Sequence, residues 1–237
     1  MRYALYFSPA ESHPLTKAAA RWLGRDAFTN EIWPTPQVEG LEPDTVHDLT
    51  ADPRRYAFHA TLKAPFELAD GKSEAELLEA VERFATETSA FDVPNVIVGQ
   101  LGRFFALVPD KVYPELQDFA ASVVEVFEPF RAPLSEADIA RRNPESLTTS
   151  QRANLERWGY HHVMDDFRFH MTLTGKVPPE QAPAMRVELD RRFAEFVDRP
   201  LTIDGLALFV EPSRGAPFIA HSWLPLGAAS ESRKIAS

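Results

Sequence analysis

The sequence predicts an α+β fold in which two duplicated strand–helix–strand–strand lobes with antiparallel sheets form a central cleft and the helices pack outside. Two observations support this prediction. The same order of strands and helices occurs twice along the 237 residues, and the first strand of each copy contains the pattern Phe-His-x-Thr-Leu. A duplicated unit packed against its twin leaves a cleft at the junction, so we expect a single bilobal domain over residues 1–237.

The first lobe is predicted at residues 1–130. Apolar residues three or four positions apart mark its helices, and runs of aromatic and aliphatic residues mark its strands. Ser73 followed by Glu76 has the spacing of a capping box and fixes the start of the second helix. In order, the predicted elements are a strand at 3–7, a helix at 13–27, a proline-rich loop at 29–53, a strand at 56–66, a helix at 74–88, strands at 93–99 and 103–108, and a helix at 113–127.

A helical insertion is predicted at 131–160, before the second lobe at 160–226. Proline disfavours a helix before it and glycine accepts a left-handed cap, so Asn143-Pro144 and Gly159 end the two inserted helices. The predicted elements are helices at 135–142 and 149–158, a strand at 167–177, a helix at 180–197, and strands at 201–210 and 217–224. Residues 227–237 are small and polar and are predicted to form a disordered tail.

Composition narrows the range of functions. With 25 basic and 35 acidic residues, the net charge of −10 argues against long nucleic acid as a partner, because duplex binding needs a broad basic surface. Any anion is therefore expected in a local cationic pocket. The lack of cysteine excludes a thiolate nucleophile and zinc–thiolate sites and is typical of a reducing cytoplasm. No run approaches the ~18 apolar residues of a membrane span, and the first apolar run is too short for a signal peptide, so we expect a cytoplasmic protein.

The two Phe-His-x-Thr-Leu strands provide the candidate site. Side chains alternate between the faces of a strand, so the histidine, the threonine and the residue two positions further share one face in each copy. These residues are His59, Thr61 and Lys63 in the first copy and His170, Thr172 and Thr174 in the second. The opposite, apolar faces are suited to packing on helices. If the copies face each other, imidazoles, hydroxyls and cations meet in one cleft, a set that suits a phosphate.

Two other interpretations of these strands are open. Alternating strands often expose histidine and threonine to water with no further function. A metal site is the second, because His161, His162, Asp165 and Asp166 lie just before the second strand and add nitrogen and oxygen ligands to the paired imidazoles. Their spacing matches no recognised ligand pattern such as His-Glu-x-x-His, and we predict that the site uses no metal.

The paired His-x-Thr strands resemble the 2H phosphoesterase superfamily, whose members carry two such motifs in a duplicated α+β fold. The wider matching segments are Tyr-Ala-Phe-His-Ala-Thr-Leu-Lys-Ala-Pro-Phe at 56–66, Trp-Gly-Tyr at 158–160 and Phe-Arg-Phe-His-Met-Thr-Leu-Thr at 167–174. They are similar to a bacterial branch found with phosphonate-utilisation genes, and the likeness runs from Arg2 to Leu226. One departure is His161, which stands where that branch has proline after Trp-Gly-Tyr and which bears on the geometry of this loop.

The resemblance implies a phosphodiesterase that needs no metal or cofactor and acts on a small phosphate-containing substrate, commonly a 2′,3′-cyclic or 1″,2″-cyclic phosphate. It implies general acid and base roles for His59 and His170 without deciding which residue has which role. The residue types support the same chemistry, because imidazole titrates near ~6.5 and threonine hydroxyls donate hydrogen bonds to non-bridging oxygens. Lys63 and Thr174, two positions beyond the motif threonines, are predicted as further phosphate contacts.

Four more residues are candidates for substrate binding. They are Tyr6 on the first strand, Arg141 and Arg142 at a helix end, and Tyr160 after the insertion. Tyrosine packing and the preference of a helix C-terminus for cations explain the same residues without a substrate. Two functional alternatives are also open, namely a non-catalytic protein that binds a phosphorylated or phosphonate metabolite, and an enzyme that processes RNA 2′,3′-cyclic ends.

Overall fold

A computed structural model of the chain describes residues 1–227, which form one antiparallel sheet of eight strands together with eight α-helices. The strands are β1 (Arg2–Phe7), β2 (Ala60–Phe66), β3 (Phe91–Leu101), β4 (Phe104–Pro109), β5 (Met171–Thr172), β6 (Arg199–Ile203), β7 (Gly205–Glu211) and β8 (Ile219–Pro225). Across the sheet they follow the order β6-β3-β4-β5-β2-β1-β7-β8. The tail predicted at 227–237 lies outside the described residues from position 228 onward.

The helices begin and end close to their sequence signals. They are α1 (Pro14–Leu23), α2 (Pro43–Leu49), α3 (Ala51–Tyr56), α4 (Glu74–Glu87), α5 (Pro114–Val126), α6 (Glu136–Arg141), α7 (Thr149–Trp158) and α8 (Ala182–Phe193). The predicted capping box is present, since Ser73 Oγ accepts from the Glu76 N–H and the Glu76 carboxylate accepts from the Ser73 N–H. The segment 131–160 contains α6 and α7, and Gly159 ends α7 in the left-handed conformation.

Helices cover one face of the sheet, which confirms the predicted α+β class. α4 packs on β7 and β8, α5 on β2, and α8 on β3. Strand side chains fill the layer between them, among them Leu5, Leu62 and Met171, which are buried. Each such side chain contributes roughly 1.5–3 kcal/mol through burial. Within the described part of the chain, no helix has the length and apolar content needed to cross a membrane.

The two copies of the repeat share one continuous sheet. One half of it contains β6, β3, β4 and β5 and the other half contains β2, β1, β7 and β8, and the halves meet where Ala60 pairs with Met171. Each half therefore takes strands from both of the segments predicted as lobes, 1–130 and 160–226. The halves of the sheet do not coincide with those sequence boundaries.

The single strand predicted at 201–210 is wrong. The chain forms β6 and β7 on either side of Asp204; β6 pairs with β3, whereas β7 pairs with β1 and β8. Every residue of β7 is buried, and apolar residues stand on both sides of Asp204 and Gly205, so the two strands resemble one strand in the sequence. Because β6 is an edge strand and β7 lies next to the opposite edge, the one-residue link at Asp204 shows that the sheet curls on itself.

The strands that carry the motifs are shorter than predicted. The strand expected at 56–66 begins only at Ala60, because α3 continues to Tyr56, and the strand expected at 167–177 is paired only at Met171–Thr172. The loop expected at 29–53 contains α2 and the start of α3. Proline is well placed in the first turn of a helix, where its missing N–H has no intrahelical partner, so a proline-rich segment can start helices as well as break them.

Candidate active site

The two His-x-Thr motifs meet at the centre of the sheet. Ala60 and Met171 form an antiparallel pair, so continuing this register sets the histidine of each motif opposite the threonine of the other. These cross-strand pairs are His59 with Thr172 and His170 with Thr61. Ala60 and Met171 are buried in the core, and the four motif side chains therefore share the other face, where all four line one cleft.

A hydrogen bond to the backbone fixes each imidazole. His59 Nδ1 lies 2.9 Å from the Ala57 carbonyl oxygen, and His170 Nδ1 lies 2.7 Å from the Arg168 carbonyl oxygen. Because a carbonyl oxygen only accepts, both Nδ1 atoms carry a proton, and Nε2 is the proton acceptor of each neutral ring. His59 Nε2 accepts from the Thr61 hydroxyl at 3.1 Å. Both rings thus keep Nε2 as the proton acceptor, and that of His59 is hydrogen-bonded to Thr61.

The carbonyl that holds His59 belongs to a strained residue. Ala57 has φ 67° and ψ 178°, a conformation that is essentially restricted to glycine and that costs roughly 1–3 kcal/mol for other residues. It lies between the end of α3 and the start of β2. The strain is therefore located where the chain turns its carbonyl toward His59 Nδ1.

Burial keeps both imidazoles neutral in the free protein. Desolvation, together with the nearby His170, lowers the pKa of His59 to about 4. Desolvation also lowers the pKa of His170, against the effect of its backbone hydrogen bond. The Tyr6 ring stacks on His59 with centroids 3.7 Å apart, and the Phe104 ring lies 5.7 Å from His170. An aromatic ring from a neighbouring strand thus covers each imidazole.

The cleft is locally cationic although the whole chain has a net charge of −10. Its volume is about 890 Å³. The charged lining residues are Arg2, Arg55, Arg141, Arg142, Lys176 and Arg214 together with Asp52 and Asp138. Six cations against two carboxylates favour an anionic ligand.

Lys63 does not face this cleft, which corrects the prediction from strand alternation. Tyr6 pairs with Thr61 but Leu5 pairs with Lys63, so β2 contains one extra residue, Leu62, at a β-bulge. A one-residue insertion reverses the faces that follow it. Thr61 therefore lies on the cleft face with Tyr6, and Lys63 lies on the helix face with Leu5.

The polar groups of Lys63 and of its counterpart Thr174 are hydrogen-bonded to other groups of the protein. The buried Lys63 ammonium donates to the Glu128 carboxylate at 2.8 Å and to the Val124 carbonyl at 3.0 Å. Thr174 lines the cleft but is fully buried, and its hydroxyl accepts from the Phe105 N–H at 2.9 Å and donates to the next backbone carbonyl. The Thr174 proton is therefore not available to a phosphate.

The four additional candidates all line the cleft. Tyr6 is buried, which raises the pKa of its phenol well above the usual range. The Arg142 guanidinium lies 4.8 Å from the Tyr160 ring centroid, and burial raises the pKa of Tyr160. Arg141 pairs with Asp138 and is more than half exposed. The segment containing α6 and α7 brings the last three to the cleft, and their contact with a substrate stays a prediction.

A cluster of three charged residues at the cleft was not predicted from the sequence; it contains Arg2, Arg55 and Glu211. Both arginines line the cleft and pair with Glu211, which is fully buried at the end of β7. Alternation along β1 is a signal that identifies Arg2, because it shares a face with Tyr6. No local pattern identifies Glu211, since the strand before it is uniformly apolar.

The residues considered for a metal site do not form one. Within residues 1–227, no group of three or more His, Cys, Asp or Glu side chains has an arrangement that could hold a metal ion. The rings of His161 and His162 lie 4.1 Å apart, and burial is the main cause that lowers both pKa values, to about 4 for His161. Asp166 instead accepts hydrogen bonds from Ser150 and Asn154 and is tied to α7.

The fold and the site define a two-histidine α+β protein with a cationic ligand cleft. The chain belongs to the family described as protein of unknown function (DUF1045), whose model matches residues 61–219. This matched segment begins at Thr61 and includes the whole second motif.

Two curated relatives are both named ribose 1,5-bisphosphate phosphokinase PhnN. The relative from Janthinobacterium sp. (strain Marseille) is 37% identical over 234 residues, which cover 97% of this chain and 52% of the relative. The relative from Laribacter hongkongensis (strain HLHK9) is 31% identical over 218 residues, which cover 92% of this chain and 50% of the relative. This chain thus spans about half the length of the curated relatives it matches.

Two solved structures align over most of this chain at low similarity. TT0787 of Thermus thermophilus aligns with a TM-score of 0.44 at 14% identity, over 96% of this chain and 98% of that one. E. coli LigT complexed with ATP aligns with a TM-score of 0.39 at 14% identity, over 95% of this chain and 97% of that one.

Proposed function

We propose that this protein is a metal-independent phosphoesterase that hydrolyses a small cyclic or sugar-linked phosphodiester. His59 and His170 act as general base and general acid, and the motif threonines donate hydrogen bonds to non-bridging oxygens of the phosphate. The observation that carries the proposal is the matched pair of Nδ1–H···O=C hydrogen bonds, which directs the Nε2 atoms of both rings to one cationic cleft, where a bound phosphate takes the hydroxyl proton that Thr61 otherwise donates to His59.

Hydrolysis needs a proton acceptor and a proton donor on the two sides of the phosphorus atom. One neutral Nε2 takes a proton from water as the water oxygen bonds to phosphorus. The bond between phosphorus and the leaving oxygen breaks as the other imidazolium protonates that oxygen. Proton exchange with solvent then restores both rings, and the threonine hydroxyls stabilise the charge that develops on the phosphate.

We assign the base to His59 and the acid to His170. An anionic phosphate in the cleft favours one imidazolium, and the proton goes to the ring whose pKa is less depressed. Burial and the nearby His170 both lower the pKa of His59, to about 4, whereas burial is the one cause that lowers the pKa of His170. His59 therefore stays neutral and free to accept a proton from water.

The names of the relatives supply the first substrates to test. They refer to ribose 1,5-bisphosphate, and the resemblance of the motifs points to phosphonate metabolism. The names describe a kinase, whereas the cleft in this chain holds acid and base groups suited to hydrolysis. We therefore assign esterase activity to the half of each relative that this chain matches, with ribose cyclic phosphates as the leading substrate class.

The test measures hydrolysis of ribose and nucleoside 2′,3′-cyclic phosphates with EDTA present. His59→Ala and His170→Ala should each lower kcat by ~10²–10⁴-fold, because each removes one proton-transfer step. The wild-type kcat/KM should be bell-shaped with its maximum below pH 6.5, because burial lowers both pKa values in the free protein. His221→Ala is the matched control, since this β8 histidine contacts Glu74 and not the cleft.

Several results contradict the proposal. Full activity in either motif variant with an intact fold removes the acid–base roles. Activity that EDTA abolishes and zinc or manganese restores indicates a metal mechanism. Tight binding of phosphate compounds without turnover of any substrate indicates the non-catalytic binding protein, and turnover confined to RNA ends indicates RNA processing.

A further inference from the structure

The end of the cleft beyond Tyr6 contains two arginines held by one buried carboxylate. Glu211 is 0% exposed, and its oxygens accept from Arg2 Nε at 2.5 Å, from Arg55 Nη2 and from the Gly215 N–H at 2.9 Å. A buried carboxylate is costly unless it is fully paired. Every contact of Glu211 named here holds a guanidinium or the adjoining turn in place, so the two arginines are fixed before any ligand arrives.

This cluster has a net positive charge and unpaired N–H donors. Two guanidiniums share one carboxylate, which leaves one net positive charge. Within residues 1–227, both terminal nitrogens of Arg2 have no hydrogen-bond partner, whereas the Arg55 guanidinium contacts the Tyr56 side chain besides Glu211 and Gly215. Arg2 and Arg55 are partly exposed at 16% and 28%, and both line the cleft. The terminal N–H groups of Arg2 therefore remain available to an anion, and the charge of Arg55 lies beside them.

Aromatic rings set the distance between this cluster and the motif histidines. The Arg55 guanidinium lies 4.7 Å from the Tyr56 ring centroid, and that ring lies 6.4 Å from the His59 ring. Phe218 stacks on Tyr56 and lies 6.0 Å from both guanidiniums. Only one ring thus separates an arginine from the base, a spacing that a sugar or nucleoside bridges.

We propose that Arg2 and Arg55 form a binding site for a second phosphate group, and that the substrate is a phosphodiester that carries a separate phosphate monoester on the same small molecule. The proposal rests on the proposed phosphodiesterase function of the same cleft. The planar guanidinium matches phosphate oxygens in a bidentate geometry, and its charge persists at every pH of interest. Glu211 is a positioning residue that orients both guanidiniums.

The experiment compares two probes that differ only in the second phosphate. Calorimetry at low salt measures Kd for adenosine 3′-monophosphate and for adenosine 3′,5′-bisphosphate in wild type, Arg2→Gln and Arg55→Gln. The bisphosphate should bind wild type about 10- to 100-fold more tightly, and each variant should lose about 10-fold of this preference while its Kd for the monophosphate stays the same. Arg2→Lys, which keeps the charge without the planar fork, should retain part of the preference.

Arg186→Gln is the matched control. Arg186 is an exposed arginine on α8 that pairs with Asp190 and does not line the cleft, so the preference should be unchanged. Circular dichroism and thermal unfolding verify that each variant folds.

The outcomes separate this inference from the proposed function. Wild type that hydrolyses cyclic phosphates but binds both probes equally refutes the second phosphate site and leaves the esterase intact. A preference for the bisphosphate that Arg2→Gln and Arg55→Gln do not reduce also refutes it, because the second phosphate then binds elsewhere. An arginine-dependent preference without turnover of any cyclic phosphate keeps the second site and refutes the esterase.

Discussion

Lys63→Met tests the reversal of faces within β2. The variant removes the contacts of the Lys63 ammonium with Glu128 and with the Val124 carbonyl and keeps a side chain of similar length. Glu128 is 23% exposed and retains Arg131 at 2.6 Å, so the ~3–5 kcal/mol penalty of an uncompensated buried charge does not apply in full. The carbonyl left without this donor costs about 1–3 kcal/mol. We therefore expect the free energy of unfolding to fall by about 1–3 kcal/mol.

The assay is urea unfolding combined with steady-state hydrolysis. Lys63→Met should lower stability as stated and leave kcat/KM unchanged, because the ammonium lies on the face away from the cleft. Thr61→Val is the matched control on the same strand, where loss of the hydroxyl proposed to bind the phosphate should lower kcat by about 10²-fold with a stability change below about 1 kcal/mol. The reasoning is refuted if Lys63→Met loses 10-fold or more of kcat/KM at unchanged stability.

Two further predictions concern the surroundings of His59. Lowering the pH from about 6.5 to 4 should reduce the free energy of unfolding of wild type more than that of His59→Gln. The pKa of His59 is about 4 in the folded state and higher in the unfolded state, so the unfolded chain binds more protons in this window. Urea titrations at several pH values measure the difference. Equal slopes in the two proteins contradict the assigned pKa. Ala57→Gly should be at least ~1 kcal/mol more stable than Ala80→Gly in α4, because glycine relieves backbone strain at position 57 and weakens the helix at position 80. Equal urea midpoints of the two variants contradict the backbone strain assigned to Ala57.

The local part of the site follows from strand periodicity. The repeated pattern identified the two motif strands, and alternation placed each histidine and its threonine on one face, as the pairing of Ala60 with Met171 requires. The capping box at Ser73 and the glycine cap at Gly159 are equally local, because each depends on residues within one helical turn. Sequence alone is sufficient for features of this kind.

Features that depend on distant partners escaped the same reasoning. The bulge at Leu62 follows from how β2 meets β1, so the two-residue spacing between Thr61 and Lys63 predicted the wrong face for the lysine. In the sequence, Glu211 is only a polar residue at the end of an apolar strand; its ion pairs with Arg2 and Arg55 are evident only in the folded structure. Both cases require knowledge of which strands are neighbours, and a single sequence does not contain that information in any local pattern.

The interleaving of strands has a consequence for the order of events during synthesis. β1 emerges from the ribosome well before its neighbour β7, which pairs Val210 with Tyr3 about 200 residues further along the chain. The motif of β2 is likewise separated from that of β5 by more than a hundred positions, so both contacts carry the entropic cost of closing a long loop. A nascent chain that ends before β7 therefore leaves one edge of β1 unpaired, and the eight-stranded sheet forms only after β7 and β8 have emerged.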